Sequence, residues 1–117
     1  MNPMPPTPMT KLVWVDDPDP LPPGMGSHLF GLPGGGRPVA PVEFSHWSLE
    51  PGADSGDDQH DVPEIWLIAA GAGVMTCGGA TVELAAGDAV AIEPRQVHSL
   101  RNTGDGPVEV FSVWWAA

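Results

Sequence analysis

The sequence predicts an all-β fold, a sandwich or barrel with little or no helix, and three observations carry that expectation. From Val42 onward, short apolar segments of four to eight residues alternate with turn residues. No stretch of ten residues keeps a helical period. Gly and Pro, 15 of each in 117 residues, fall between the apolar segments as punctuation. That much Gly and Pro would suit a disordered chain, but a 42% hydrophobic fraction with five tryptophans supplies the apolar surface that disordered chains lack.

The elements follow in order. Residues 1–41 read as a Pro/Gly-rich arm in which only the patch Leu12-Val13-Trp14-Val15 suits a strand, packed on the main sheet or on a partner. The first ten residues are expected to fray. Gly34-Gly35-Gly36 lacks the Lys-Ser/Thr and the following helix of a phosphate-binding loop, and reads as a flexible turn. Residues 42–117 form the barrel, with strands expected at Val42–Leu49, Glu64–Ala70, Gly73–Thr76, Ala80–Leu84, Asp88–Ile92, Val97–Leu100 and Val108–Trp115. Gly78-Gly79 suits a tight hairpin, because both positions tolerate positive φ.

A chain of 117 residues is one domain's worth of protein. Four Lys plus Arg against 15 Asp plus Glu give a net charge of −11, which repels phosphate backbones and anionic lipid heads, so neither nucleic acid nor a membrane surface is an expected partner. With no bilayer-length apolar run and no secretory leader pattern, a cytoplasmic location is expected. The lone Cys77 fits a reducing compartment and leaves nitrogen and oxygen as the ligands for any metal.

The densest polar cluster is Asp54-Ser55-Gly56-Asp57-Asp58-Gln59-His60-Asp61-Val62-Pro63-Glu64, just before the apolar Ile65-Trp66-Leu67-Ile68. Asp58, His60 and Glu64 lie at even offsets, so in an extended chain their side chains leave from one face, followed there by Trp66 and Ile68. Pro63 interrupts ladder bonding and weakens that argument for Glu64. The same stretch fails as a helical zinc site because of Pro63 and its Asp and Gly content. It fails as an EF-hand because Gln59 and Ile65 stand where Gly and Glu are required. His98 lies in the later segment Gly87…Pro94…His98-x3-Asn102.

Together, Gly52…Asp58-x-His60-x3-Glu64…Gly71 and Gly87…Pro94…His98-x3-Asn102 resemble the two sequence motifs of the cupin superfamily over roughly residues 42–115. The resemblance implies a small single-domain jelly-roll β-barrel holding one divalent metal, usually through three histidines and a glutamate. The implied ligands here are Asp58, His60, Glu64 and His98, with Asp58 standing where the family has histidine. Two imidazoles with two carboxylates suit Fe(II) first, with Mn(II), Zn(II) or Ni(II) as alternatives. With one carboxylate only, His60, His98 and either Asp58 or Glu64 make a 2-His-1-carboxylate triad with open positions. Asp58 has a competing role as a solvated acid that caps its loop, and Asn102 reads as a turn-closing residue.

Catalytic roles are expected for Glu64 and for His46, the latter as a general base if its face of Val42–Leu49 points inward and as a packing residue if it does not. Trp66 shares the parity of Glu64 and is placed to wall a pocket, while the other tryptophans read as core or interface anchors. His28 and Arg37 lie in the arm, within reach of the barrel mouth. The implied function is a small cupin metalloenzyme acting on a small organic molecule, leaning to non-haem oxygenase chemistry. Redox-neutral isomerase, cyclase or lyase work, or non-catalytic ligand binding, fits the same barrel. Exposed sheet edges and the apolar Phe111–Trp115 segment point to a homodimer.

Overall fold

The computed structural model describes residues 10–36 and 42–116. Nine strands and no helix are found among them: β1 (Val13–Asp16), β2 (Met25–Gly31), β3 (Val42–Leu49), β4 (Glu64–Ala70), β5 (Ala72–Cys77), β6 (Ala80–Ala85), β7 (Ala89–Ile92), β8 (His98–Asn102) and β9 (Val108–Trp115). They form a six-stranded sheet in the order β1-β2-β3-β9-β4-β7 and a three-stranded sheet in the order β6-β5-β8, and every pairing is antiparallel. This is the all-β jelly-roll that the sequence predicts.

The core lies between the two sheets, and alternation decides which residues enter it. On β3 the residues Ser45, Trp47 and Leu49 are buried, on β4 Glu64, Trp66 and Ile68, on β8 His98, Leu100 and Asn102, and on β9 Val108, Val110 and Ser112. Each set recurs at every second position, which is the side-chain period of a strand. Trp47 and Trp66 meet edge to face, with ring centroids 5.1 Å apart, and Trp47 Nε1 donates to Ser112 Oγ at 2.7 Å. The indole thus buries its ring without leaving its one donor unpaired.

In the arm the structure corrects one expectation. The apolar patch does form a strand, shifted to Val13–Asp16, but Met25–Gly31 forms a second one. Its sequence, Met-Gly-Ser-His-Leu-Phe-Gly, has two glycines and weak alternation, so local propensity gives little sign of it. Pairing with β1 on one side and β3 on the other holds it in place. Arg37 and the first nine residues lie outside the described residues. The hairpin expected at Gly78-Gly79 is present, with φ of 58° and 85° at the two glycines and Cys77 paired with Ala80.

Between β3 and β4 the chain does not simply loop over the surface. Its segment 54–58 runs along the free edge of β8: Ser55 N donates to Leu100 O at 2.8 Å, while Asp58 and His98 exchange both backbone bonds at 2.9 Å. Asn102 closes the far end of the same strand. Its Nδ2 donates to Leu49 O and Gly106 O, both at 2.9 Å, and its Oδ1 accepts from Gly104 N at 2.8 Å, so the side chain acts as the turn-closing residue. Replacing buried Asn102 by Ala removes three hydrogen bonds and is expected to cost about 2–3 kcal/mol of unfolding free energy, measured as a lower urea midpoint at unchanged m-value.

Candidate metal centre

His98 enters the interior as the first residue of β8, and its side chain is only 3% exposed. Its Nδ1 lies 2.8 Å from Gln96 O. A carbonyl can only accept, so Nδ1 carries the hydrogen, which in the neutral form of the ring leaves the lone pair on Nε2, toward the interior cluster. The Trp66 ring packs against this imidazole edge to face at 5.5 Å and fixes its plane.

Asp58 faces His98 across the paired backbone, and directly opposed residues of an antiparallel pair share one face. Past Asp58 the chain bends away from β8. Gln59 Nε2 donates to Arg95 O at 2.9 Å, and Arg95 N donates to His60 O at 2.6 Å. These two bonds clamp the His60 loop to the turn before β8, and in that turn Arg95 takes the left-handed conformation at φ 64°. Sequence reasoning passes over Arg95, because a residue that works through its backbone leaves no side-chain signature, and over Gln59, because its side chain bonds a backbone carbonyl 36 residues away.

Glu64 opens β4 and therefore belongs to the other sheet. The three side chains that the even-offset argument groups lie close together, but along a path that is not one extended strand. Pro63 removes a ladder donor, and the chain uses residues 59–63 to cross between sheets. The cluster that results is tight. His60 Nε2 lies 3.2 Å from Asp58 Oδ2 and 3.7 Å from Glu64 Oε1, while His98 Nε2 lies 3.5 Å from Glu64 Oε1. One ligand atom each from Asp58, His60 and His98 falls within 4.8 Å of the others. Asp58 is 63% exposed and Glu64 only 10%, so one carboxylate faces solvent and the other faces the interior.

Burial pushes the Glu64 carboxyl above the usual carboxylate range, and His60, His98 and bonds from Trp66 and Ser112 only partly offset it. Its Oε1 is buried and has no hydrogen-bond partner among the described residues. An orphaned carboxylate oxygen beside two imidazole nitrogens, with a second carboxylate completing the set, is the donor chemistry that a borderline divalent cation takes. Asp58 Oδ1 meanwhile accepts from Gln59 N at 2.8 Å, so capping the loop and facing the cluster are roles of two different oxygens.

The centre opens into a cavity of about 320 Å³. Trp66 walls it as its parity suggests, joined by Trp47 and Trp114, and Met25, Ser27 and Leu29 of β2 close one side. His46 does not reach it. Ser45 and Trp47 point inward on β3, so His46 leaves from the outer face, 3.9 Å from Glu109 and stacked among His28, Phe111 and Trp14. The general-base role expected of it is therefore corrected to packing, because the pleat turns it away. His28 sits on that same outer face against Trp14 at 3.5 Å, so the arm covers the cavity through its neighbours Ser27 and Leu29.

A family model described as a cupin domain matches residues 45–114. The chain belongs to the cupin family. This cupin is 34% identical over 71 residues to an oxalate-binding protein of Thermotoga maritima; the match takes in 60% of this chain and 59% of that one, so the cupin spans less than two thirds of that relative. Among solved structures it is similar to a cupin 2 conserved barrel domain protein from Salinispora arenicola, with a TM-score of 0.69 and 27% identity, covering 99% of this chain and 92% of that one. It also superposes on salicylate 1,2-dioxygenase from Pseudoaminobacter salicylatoxidans, with a TM-score of 0.72 at 19% identity, covering 79% of this chain and 25% of the enzyme, a likeness of fold.

A raised carboxyl pKa contributes stability at low pH that is lost as pH rises through the raised value, so ionised Glu64 costs the metal-free protein stability near neutrality. Glu64→Gln is expected to raise the melting temperature of metal-free protein by a few degrees at neutral pH. The gain should shrink as pH falls toward the ordinary carboxylate range; calorimetric melts across that interval check it.

Proposed function

We propose that this cupin holds one divalent metal ion with Asp58, His60, Glu64 and His98 and acts on a small organic molecule in the adjoining cavity, with non-haem oxygenase chemistry as the leading reaction. The observation that carries the reading is the convergence of two imidazole Nε2 atoms on the unpartnered, buried Oε1 of Glu64. Two nitrogens and carboxylate oxygens favour Fe(II), with Mn(II), Zn(II) and Ni(II) as alternatives. A bound ion of this kind supplies Lewis acidity and, as Fe(II), one-electron chemistry with dioxygen.

The chain's own residues supply the rest. Gln96 O sets the His98 tautomer and the Arg95 turn holds the His60 backbone in place, so the His98 ring and the His60 main chain are ordered before a ligand arrives. Where His60, His98 and Asp58 make up the triad, Glu64, with His46 turned away, is the acid left free to hold or release a proton at a donor atom of the bound molecule, and burial favours its protonated form there. The tryptophan walls exclude water and orient a flat or apolar body. The 34% likeness to a protein named for oxalate binding supports a second reading, in which the barrel binds a small ligand without turnover. Redox-neutral isomerase, cyclase or lyase work on the same centre is the third outcome.

Metal analysis followed by oxygen uptake with candidate substrates separates these readings. Stoichiometric iron with substrate-dependent uptake is expected; metal without uptake favours redox-neutral chemistry or binding, and absence of retained metal overturns the metal reading. His60→Ala and His98→Ala are each expected to abolish tight metal retention and Asp58→Ala to weaken it by a smaller factor. His46→Ala on the outer face should leave it intact, and equal metal content in all four removes the site assignment.

The reading extends to a homodimer in the cytoplasm, where a single free Cys77 stays reduced. Among the described residues no helix is long and apolar enough to cross a membrane. What supports the dimer is the outer face of the six-stranded sheet. There, among the described residues, β1 pairs on one side only, Trp14 is 69% exposed, and Phe111 stands exposed beside His46. Light scattering is expected to give twice the chain mass, and Trp14→Ser to shift it toward the monomer; a monomeric parent protein overturns this.

A further inference from the structure

The charge around the cavity is lopsided in a way the metal site alone does not explain. Asp17 and Asp19, between β1 and β2, line its mouth together with Asp58, and Glu64 lies at its floor. Two hydrogen bonds hold the Asp17 side chain there: one oxygen accepts from Ser27 Oγ at 2.7 Å and the other from Asp19 N at 2.9 Å. Among the described lining residues there is no lysine or arginine. The rest of the lining sets four serines and the two imidazoles among apolar side chains that include three tryptophans, Met25 and Leu29.

We propose that this cavity selects uncharged molecules that carry two neighbouring oxygen donors on an apolar or aromatic body, and that it discriminates against small dianions such as oxalate. The inference rests on the metal-centre reading above and specifies what that centre accepts. A divalent ion held by Asp58 and Glu64 has its two positive charges cancelled by its own ligands. An incoming dianion then meets Asp17 and Asp19 at the mouth and a chain of net charge −11 behind them, with no fixed cation to receive it. Inside a half-enclosed cavity that repulsion is screened less than at open surface. A molecule that enters uncharged passes the mouth without this cost, gives up a hydroxyl proton to solvent only on chelation, and gains contact with the Trp47, Trp66 and Trp114 rings, which a two-carbon dianion is too small and too polar to exploit. In this preference the chain departs from the relative named for oxalate.

The test uses the full chain loaded with Zn(II), whose metal content is measured first. Catechol, uncharged at neutral pH, and oxalate are then titrated in parallel by calorimetry and tryptophan emission. Catechol is expected to bind at least tenfold more tightly, and Asp17→Asn with Asp19→Asn to narrow the gap by strengthening oxalate several-fold at low salt. Oxalate binding as tightly as catechol to stoichiometrically loaded protein overturns the selectivity and leaves the metal centre standing. If no metal is retained, the metal reading fails, and the selectivity is decided on the metal-free cavity with benzyl alcohol and benzoate. There the uncharged ligand is again expected to win by tenfold, and parity overturns the inference.

Discussion

Asp58 and His98 each donate a backbone N–H to the other's carbonyl at 2.9 Å, and most of the site's geometry descends from that exchange. It extends the three-stranded sheet by the segment 54–58, sets two side chains from distant parts of the chain on one face, and leaves the intervening residues just enough length to cross to β4. Glu64 can then approach from the opposite sheet without either sheet distorting. The Arg95 turn serves the same arrangement from below by gripping the backbone of His60 and the side chain of Gln59.

A cluster of this kind is expensive to maintain. Glu64 is buried with one oxygen unsatisfied, and its carboxyl resists ionisation. Burial of a polar group without a partner costs free energy that packing elsewhere must offset. The offsets are visible in the surrounding shell: Trp66 against His98, Trp47 bonded to Ser112, and Asn102 tying the ends of three segments together. A stable core with one poorly satisfied corner is the pattern of a fold that keeps a site for something else to complete.

Much of the barrel was legible in the sequence because one face of each strand is buried and the other is not. Val42–Leu49, Glu64–Ala70 and Val108–Trp115 match the observed β3, β4 and β9 end to end. β2 was not legible, since Met25–Gly31 owes its conformation to its neighbours more than to its own residues. The inward face of β3 was likewise undecidable: Phe44 and His46 on one side and Trp47 and Leu49 on the other are both partly apolar faces, and only pairing with β9 chooses between them. For the candidate site, the spacing of Asp58, His60, Glu64 and His98 identified which side chains meet, but not the crossing between sheets that makes them meet. The cavity mouth at Asp17 and Asp19 carried no signal at all, because it depends on where an arm with little regular pattern comes to rest.

The segment 54–58 is a strap laid on an edge, secured by a handful of backbone bonds and by the Ser55 hydroxyl, which accepts from Leu100 N at 2.8 Å. Edges open more readily than sheet centres. When this one lifts, Asp58 and His60 leave together while Glu64 and His98 stay behind. Dismantling the cluster and exposing the amides of Asp58 and His98 to isotope exchange are therefore a single event. Whatever spans the two sides acts as a latch on that hinge, slowing exchange there as its occupancy rises.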